Sequence, residues 1–110
     1  MRDYIKKYLN DYVKEFEALN IDIHALILFG SQARGEATIS SDVDIAVVMK
    51  EPLNSQERGT LRFLGEEIDE DIETNIYFTN IQALENPSHH FDTNTHIKRE
   101  GIVLWQEKAI

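Results

Sequence analysis

Two aspartates stand two residues apart in LILFGSQARGEATISSDVDIAVVM, which runs from Leu26 to Met49. Asp42 and Asp44 fall where a polar stretch gives way to an apolar run. Residues two apart on a strand point to the same side, and two carboxylates so close repel unless a cation lies between them. Mg²⁺ is such a cation: hard, oxygen-seeking, and commonly shared between carboxylates and the phosphates of a substrate. An Asp-x-Asp pair at a strand mouth is thus half of a metal–nucleotide site. The plainer reading is a solvated strand entrance with Asp42 as a turn residue.

The same stretch offers a second half. Gly30-Ser31 ends an apolar run and opens a short polar one. Glycine lets a ligand approach the backbone closely. The first N–H groups of a following helix are unpaired and suit an anion, and the Ser31 hydroxyl adds a donor. Phosphate oxygens are the natural guest; a tight turn with an N-cap serine is the plain alternative. Arg34 lies one turn on, either as a phosphate contact or as a surface arginine. Glu36 is expected to face solvent.

These residues need elements to position them. Tyr4, Ile5, Tyr8, Leu9, Tyr12, Val13, Phe16 and Leu19 recur at helical spacing, which predicts a helix over residues 3–19. Asp3 is its expected cap and Asn20 its stop. Residues 25–29 are apolar on both faces, as in a buried central strand. A short helix is expected over SQARGE, a second strand over SDVDIAVVMK, and a helix over residues 55–70. IETNIYFTN reads as a third strand, IQALENP as a helical turn, residues 88–100 as a helix, and IVLW as a last strand or a packing tail. Helices alternating with strands predict an α/β or α+β fold, a sheet with helices packed on it.

At 110 residues the chain is expected to form a single domain, residues 1–110. The opening residues mix both charge signs and do not read as a signal peptide. No apolar run approaches the roughly 18 residues of a membrane span. The chain has no cysteine, which excludes disulfides and thiolate metal sites and fits a cytoplasmic protein. Its net charge of −9 argues against non-specific nucleic-acid binding. It suits a basic protein partner or a metal-bound polyphosphate.

Taken together, Gly30-Ser31, ten residues, then Asp42-x-Asp44 resembles the nucleotidyltransferase superfamily related to DNA polymerase β. The string FGSQARGEATISSDVDIAVV is similar to the minimal nucleotidyltransferase (MNT) branch, often encoded beside a HEPN-domain partner as a toxin–antitoxin pair. The resemblance implies a polymerase β-like fold with a small mixed sheet. It implies that Gly30 and Ser31 hold the β- and γ-phosphates of a nucleoside triphosphate, ATP above all, with Arg34 within reach. Asp42 and Asp44 would be catalytic and would hold one or two Mg²⁺ ions. The product would be a nucleoside monophosphate joined to a protein hydroxyl, with pyrophosphate released.

Full members of that family carry a third acid on the next strand. Here the matching strand reads DIETNIYF, in which Asp71, Glu73 and Asn75 share a face. The closest alignment puts Asn75 at the catalytic position, and an amide cannot act as a base at neutral pH. Glu73 has the same parity and a longer side chain, and it is the candidate third acid if the register slides by two; Asp71 falls too early.

Other residues invite less. His89, His90 and His96 match no common zinc spacing. His24 and Trp105 read as structural, and the tyrosine stripe reads as core rather than partner groove. Two functions follow. One, which the resemblance implies, is an Mg²⁺-dependent enzyme that modifies a HEPN-type toxin and so acts as its antitoxin. The other is an antitoxin of the same fold with a weakened site, neutralising its partner by direct contact. Either leaves room for a homo- or hetero-oligomer.

Overall fold

Four strands form one mixed sheet in the order β3-β2-β1-β4. They are β1 (Ala25–Phe29), β2 (Val43–Met49), β3 (Thr74–Asn80) and β4 (Ile102–Gln106). The computed structural model describes residues 1–108. β1 runs antiparallel to both β2 and β4, whereas β2 and β3 are parallel. A parallel pair needs a long crossover, and α3 (Ser55–Ile68) supplies it.

Both faces of the sheet are covered, as the apolar reading of β1 requires. On one face Leu26, Leu28, Val43, Ile45 and Val47 pack under α1 (Asp3–Leu19) and α3. On the other, Ala25, Ile27, Ala46 and Val48 meet Ile97 of α5 (Thr93–Glu100), with Ile81 and Leu84 of α4 (Ile81–Glu85) beside them. The α/β sheet with helices packed on it that the sequence predicts is therefore present.

α1 buries Ile5, Tyr8, Leu9, Tyr12 and Phe16, a narrower stripe than the sequence drew; Tyr4 and Leu19 are exposed. Its N-cap is Arg2, which makes no side-chain capping bond, and Asp3 lies inside the first turn, where its charge suits the helix dipole. Asn20 ends the helix in the left-handed region, as expected. The cap that the sequence reading overlooked belongs to α3: Asn54 and Glu57 form a reciprocal capping box.

IVLW forms a strand rather than a tail, and a bulge between Leu26 and Ile27 interrupts its pairing with β1. Trp105 packs edge-on against Phe16, with ring centroids 5.0 Å apart. His24 Nδ1 lies 2.7 Å from Glu107 Oε2, and Lys50 bonds Asp22 and Glu107. His24 and then Lys50 hold the Glu107 carboxyl below its ordinary range. This cluster ties the C-terminal strand down at the end of the sheet away from the aspartates.

Leu61 is fully buried, and its carbonyl accepts a 3.0 Å hydrogen bond from the buried Tyr12 hydroxyl. Leu61→Ala is expected to cost about 2–5 kcal/mol through lost transfer energy and a cavity. Urea denaturation measures it, and a loss below about 1 kcal/mol would show that the site collapses around the truncation.

Candidate active site

Topology brings three strand ends to one place. β1 is antiparallel to β2 and β2 is parallel to β3, so the end of β1 meets the beginnings of the other two. Phe29 pairs with Asp44, and Asp44 pairs with Asn75. Asp42 immediately precedes β2, where the Val43 N–H donates to the Glu73 carbonyl at 2.9 Å.

The chain after β1 turns at Gly30, which has φ 76° and ψ −158°. A Cβ there would collide with the Asp44 carboxylate. Backbone conformation and close approach both demand glycine. One helical turn follows, α2 (Ser31–Arg34), closed by Gly35 in the left-handed region. No side chain caps the start of α2, which leaves its first N–H groups to solvent or a ligand.

Gln32 is a residue that the sequence reading passed over. It is buried, and its amide donates to the Ser41 carbonyl. That bond fastens α2 to the segment leading into Asp42. Thr38 and Ser41 close the same segment into a turn: the Ser41 N–H donates to the Thr38 carbonyl at 3.1 Å, and the Thr38 N–H donates to Ser41 Oγ at 2.8 Å. A buried glutamine in a polar stretch carries no pattern by which sequence alone could have singled it out.

Asp42 and Asp44 are partly exposed and lie on one side of the strand mouth. Asn75 shows this directly. Its Nδ2 donates to Asp42 Oδ2 at 3.2 Å and to Asp44 Oδ1 at 3.1 Å. The register thus places Asn75, not Glu73, against the pair. Glu73 lies one pleat earlier, with its side chain exposed. With Arg62, Phe63, Glu66, Glu70 and Asn75, it lines a hollow of about 390 Å³.

Arg34 is turned to carboxylates of the chain itself. Its Nε donates to Glu36 Oε2 and its Nη1 to Glu100 Oε1, both at 3.0 Å. Glu36, then Glu100, raise the pKa of its guanidinium further. Glu36 is exposed as expected, but it serves this pair. The structure therefore gathers Gly30, Ser31, Asp42, Asp44 and Asn75 at the strand mouth. The Arg34 guanidinium is held by Glu36 and Glu100, and Glu73 lies one pleat before Asn75 of β3.

Among the described residues no group of three or more His, Cys, Asp or Glu side chains is placed to hold a metal. The two aspartates alone offer oxygens of the kind Mg²⁺ prefers, so their chemistry fits a cation completed by substrate and water. His89 Nδ1 accepts a hydrogen bond from the Phe91 N–H.

A family model described as "Polymerase beta, Nucleotidyltransferase" matches residues 5–109. The chain belongs to this family. Solved structures share the fold. A toxin–antitoxin crystal structure with AMP-PNP is 21% identical, with a TM-score of 0.63 over 89% of this chain and 73% of that one. The MntA-HepT toxin–antitoxin structure is 19% identical, with a TM-score of 0.60 over 93% and 73%. A tri-AMPylated Shewanella oneidensis HEPN toxin in complex with an MNT antitoxin gives 18% and 0.61, over 93% and 72%. At such identities the likeness is one of fold. No curated protein matches the chain. Among the described residues no helix of this nucleotidyltransferase is long and apolar enough to cross a membrane.

Proposed function

We propose that this nucleotidyltransferase moves AMP from ATP, with Mg²⁺, onto a hydroxyl of a protein partner, a HEPN-type toxin, and acts as its antitoxin. The observation that carries this reading is the meeting of the Asp42–Asp44 pair with a turn that must be glycine. A compact anion cradle and a cation-hungry pair then face one substrate. The likeness to structures named for AMP-PNP and for an AMPylated HEPN toxin supports the nucleotide and the partner.

The chemistry is an in-line displacement. The acceptor oxygen attacks the α-phosphorus, the bond to the bridging oxygen breaks, and pyrophosphate leaves. The acceptor proton passes to a base. Gly30 and Ser31 receive the β- and γ-phosphates at the start of α2, and Arg34 reaches them by leaving Glu36 or Glu100. Asp42 and Asp44 would hold Mg²⁺, which, when bound, offsets the charge on the attacking and leaving oxygens. Glu73 is the proposed base. It has the parity of Asn75 and lines the hollow through which an acceptor would reach the pair. The cytoplasm, where ATP and Mg²⁺ are at hand, is the compartment that this reading requires.

A second reading rests on Asn75. With an amide against the pair, the chain would neutralise a basic partner by contact, using its charge of −9. ATP labelled at the α-phosphate separates the two. Label on the partner is expected in the presence of Mg²⁺; an unlabelled partner held in a stable complex would leave only the contact reading. Glu73→Gln is expected to slow transfer by about 100-fold, the lower end for a lost general base, with the complex intact. Unchanged transfer would remove Glu73 from the mechanism.

A further inference from the structure

We infer that Asn75 makes this a one-cation site. Its amide fixes one oxygen of each aspartate, and its neutrality denies a second cation the charge that it needs. The inference rests on the proposed function, because it concerns the cation and nucleotide which that function requires.

A carboxylate only accepts hydrogen bonds, so the atom facing both must be the NH₂ of Asn75. It donates to Asp42 Oδ2 and Asp44 Oδ1 and so turns one lone pair of each toward β3. Asp42 Oδ1 and Asp44 Oδ2 remain. Asp44 Oδ2 is the atom that a Cβ on Gly30 would strike, so it lies on the side of the Gly30-Ser31 turn. This oxygen of Asp44 therefore faces the proposed phosphate cradle, and the oxygens that accept from Asn75 face β3. A cation that accompanies the triphosphate belongs on the Gly30 side. On the β3 side a second cation would meet a neutral amide beside the pair, with the Glu73 carboxylate one pleat away.

The same bonds position the pair. Two like charges at one strand mouth would swing apart, and a donor shared between them holds them together. Partners of metal-ligating carboxylates act in this way, and losing one commonly weakens metal binding by about 10- to 100-fold.

Mn²⁺ replaces Mg²⁺ in the test, with the 110-residue chain and a non-hydrolysable ATP analogue. Electron paramagnetic resonance distinguishes one ion from two ions about 4 Å apart, which couple. Wild type is expected to give the uncoupled signal and one Mn²⁺ per chain in equilibrium dialysis. Asn75→Asp is expected to give the coupled signal and two. Asn75→Ala keeps the neutral charge, avoids a third acid that could disturb folding, and is expected to bind one Mn²⁺ about 10-fold more weakly. A coupled pair in wild type overturns the inference. So does an uncoupled signal in Asn75→Asp whose circular dichroism matches wild type, or an Asn75→Ala affinity equal to wild type. Failure of the proposed function looks different: wild type would then bind neither analogue nor analogue-dependent Mn²⁺, and both readings would fall together.

Discussion

Replacing Asp42 and Asp44 together by alanine is expected to lower transfer of label to the partner by about 10³- to 10⁴-fold. Metal stabilisation of transition-state charge contributes several kcal/mol, and each 1.36 kcal/mol is about tenfold in rate. The same variant is expected to melt no earlier than wild type. Neither side chain belongs to the core; both are partly exposed at the strand mouth. Their like charges are held together by one amide, so removing them relieves repulsion. Asn75 loses two acceptors, but it is exposed and water replaces them. Thermal melting and capture of the partner by the variant supply the controls. Transfer within about threefold of wild type would sink the metal reading of the pair; a collapsed fold would show that the aspartates are structural.

This separation of stability from chemistry follows from how the site was legible. Gly30-Ser31 and Asp42-x-Asp44 are local patterns, and local patterns survive in a sequence. So do β1, with apolar residues on both faces, and α1, with its buried stripe. What the sequence did not show depends on distant residues or on local competition. Arg34 meets Glu100 across 66 positions, a pairing that exists only because α5 ends beside α2. The helix expected from residue 88 begins at Thr93 because Asp92 captures the Ser88 N–H and hydroxyl and the Asn94 N–H. Those bonds depress the Asp92 carboxyl to about 2 and favour a loop over helical turns. Likewise, β3 starts at Thr74, two residues later than the apolar pattern alone suggested.

Asn75 shows the limit most clearly. Strand parity put Asp71, Glu73 and Asn75 on one face, and parity repeats every two residues. It could not choose among them. The parallel register of β2 and β3 makes the choice, with Asp44 beside Asn75. Register depends on the crossover through α3 and on Ile76 and Phe78 packing against the core that α1 and α3 cover. A two-residue slide that would bring Glu73 to the pair keeps every side chain on its face. It would still break the Val43–Glu73 backbone bond and the Asn75 contacts. The question of activity therefore concerns the reach of one glutamate, not the identity of the strand.

Gly30→Ala is expected to remove analogue binding, whereas Gly35→Ala keeps it. Both glycines have positive φ, 76° and 73°, so each alanine carries backbone strain. The two differ in what a methyl group would meet. At Gly35 nothing lies within 4 Å, and strain alone operates, about 1–2 kcal/mol for a left-handed residue. At Gly30 the backbone lies where essentially only glycine goes, at about 1–3 kcal/mol, and the methyl also strikes the Asp44 carboxylate. Asp44 has to move, and with it the oxygen facing the Gly-Ser turn and the hydrogen bond to Asn75. Both variants should melt earlier than wild type by a few degrees for each kcal/mol. Analogue affinity is expected to fall by at least about 100-fold in Gly30→Ala, roughly 2.7 kcal/mol, and by less than about threefold in Gly35→Ala. Equal losses in the two variants would mean that strain in α2, not displacement of Asp44, governs the site. Undiminished affinity in Gly30→Ala would show that the nucleotide does not bind beside this carboxylate.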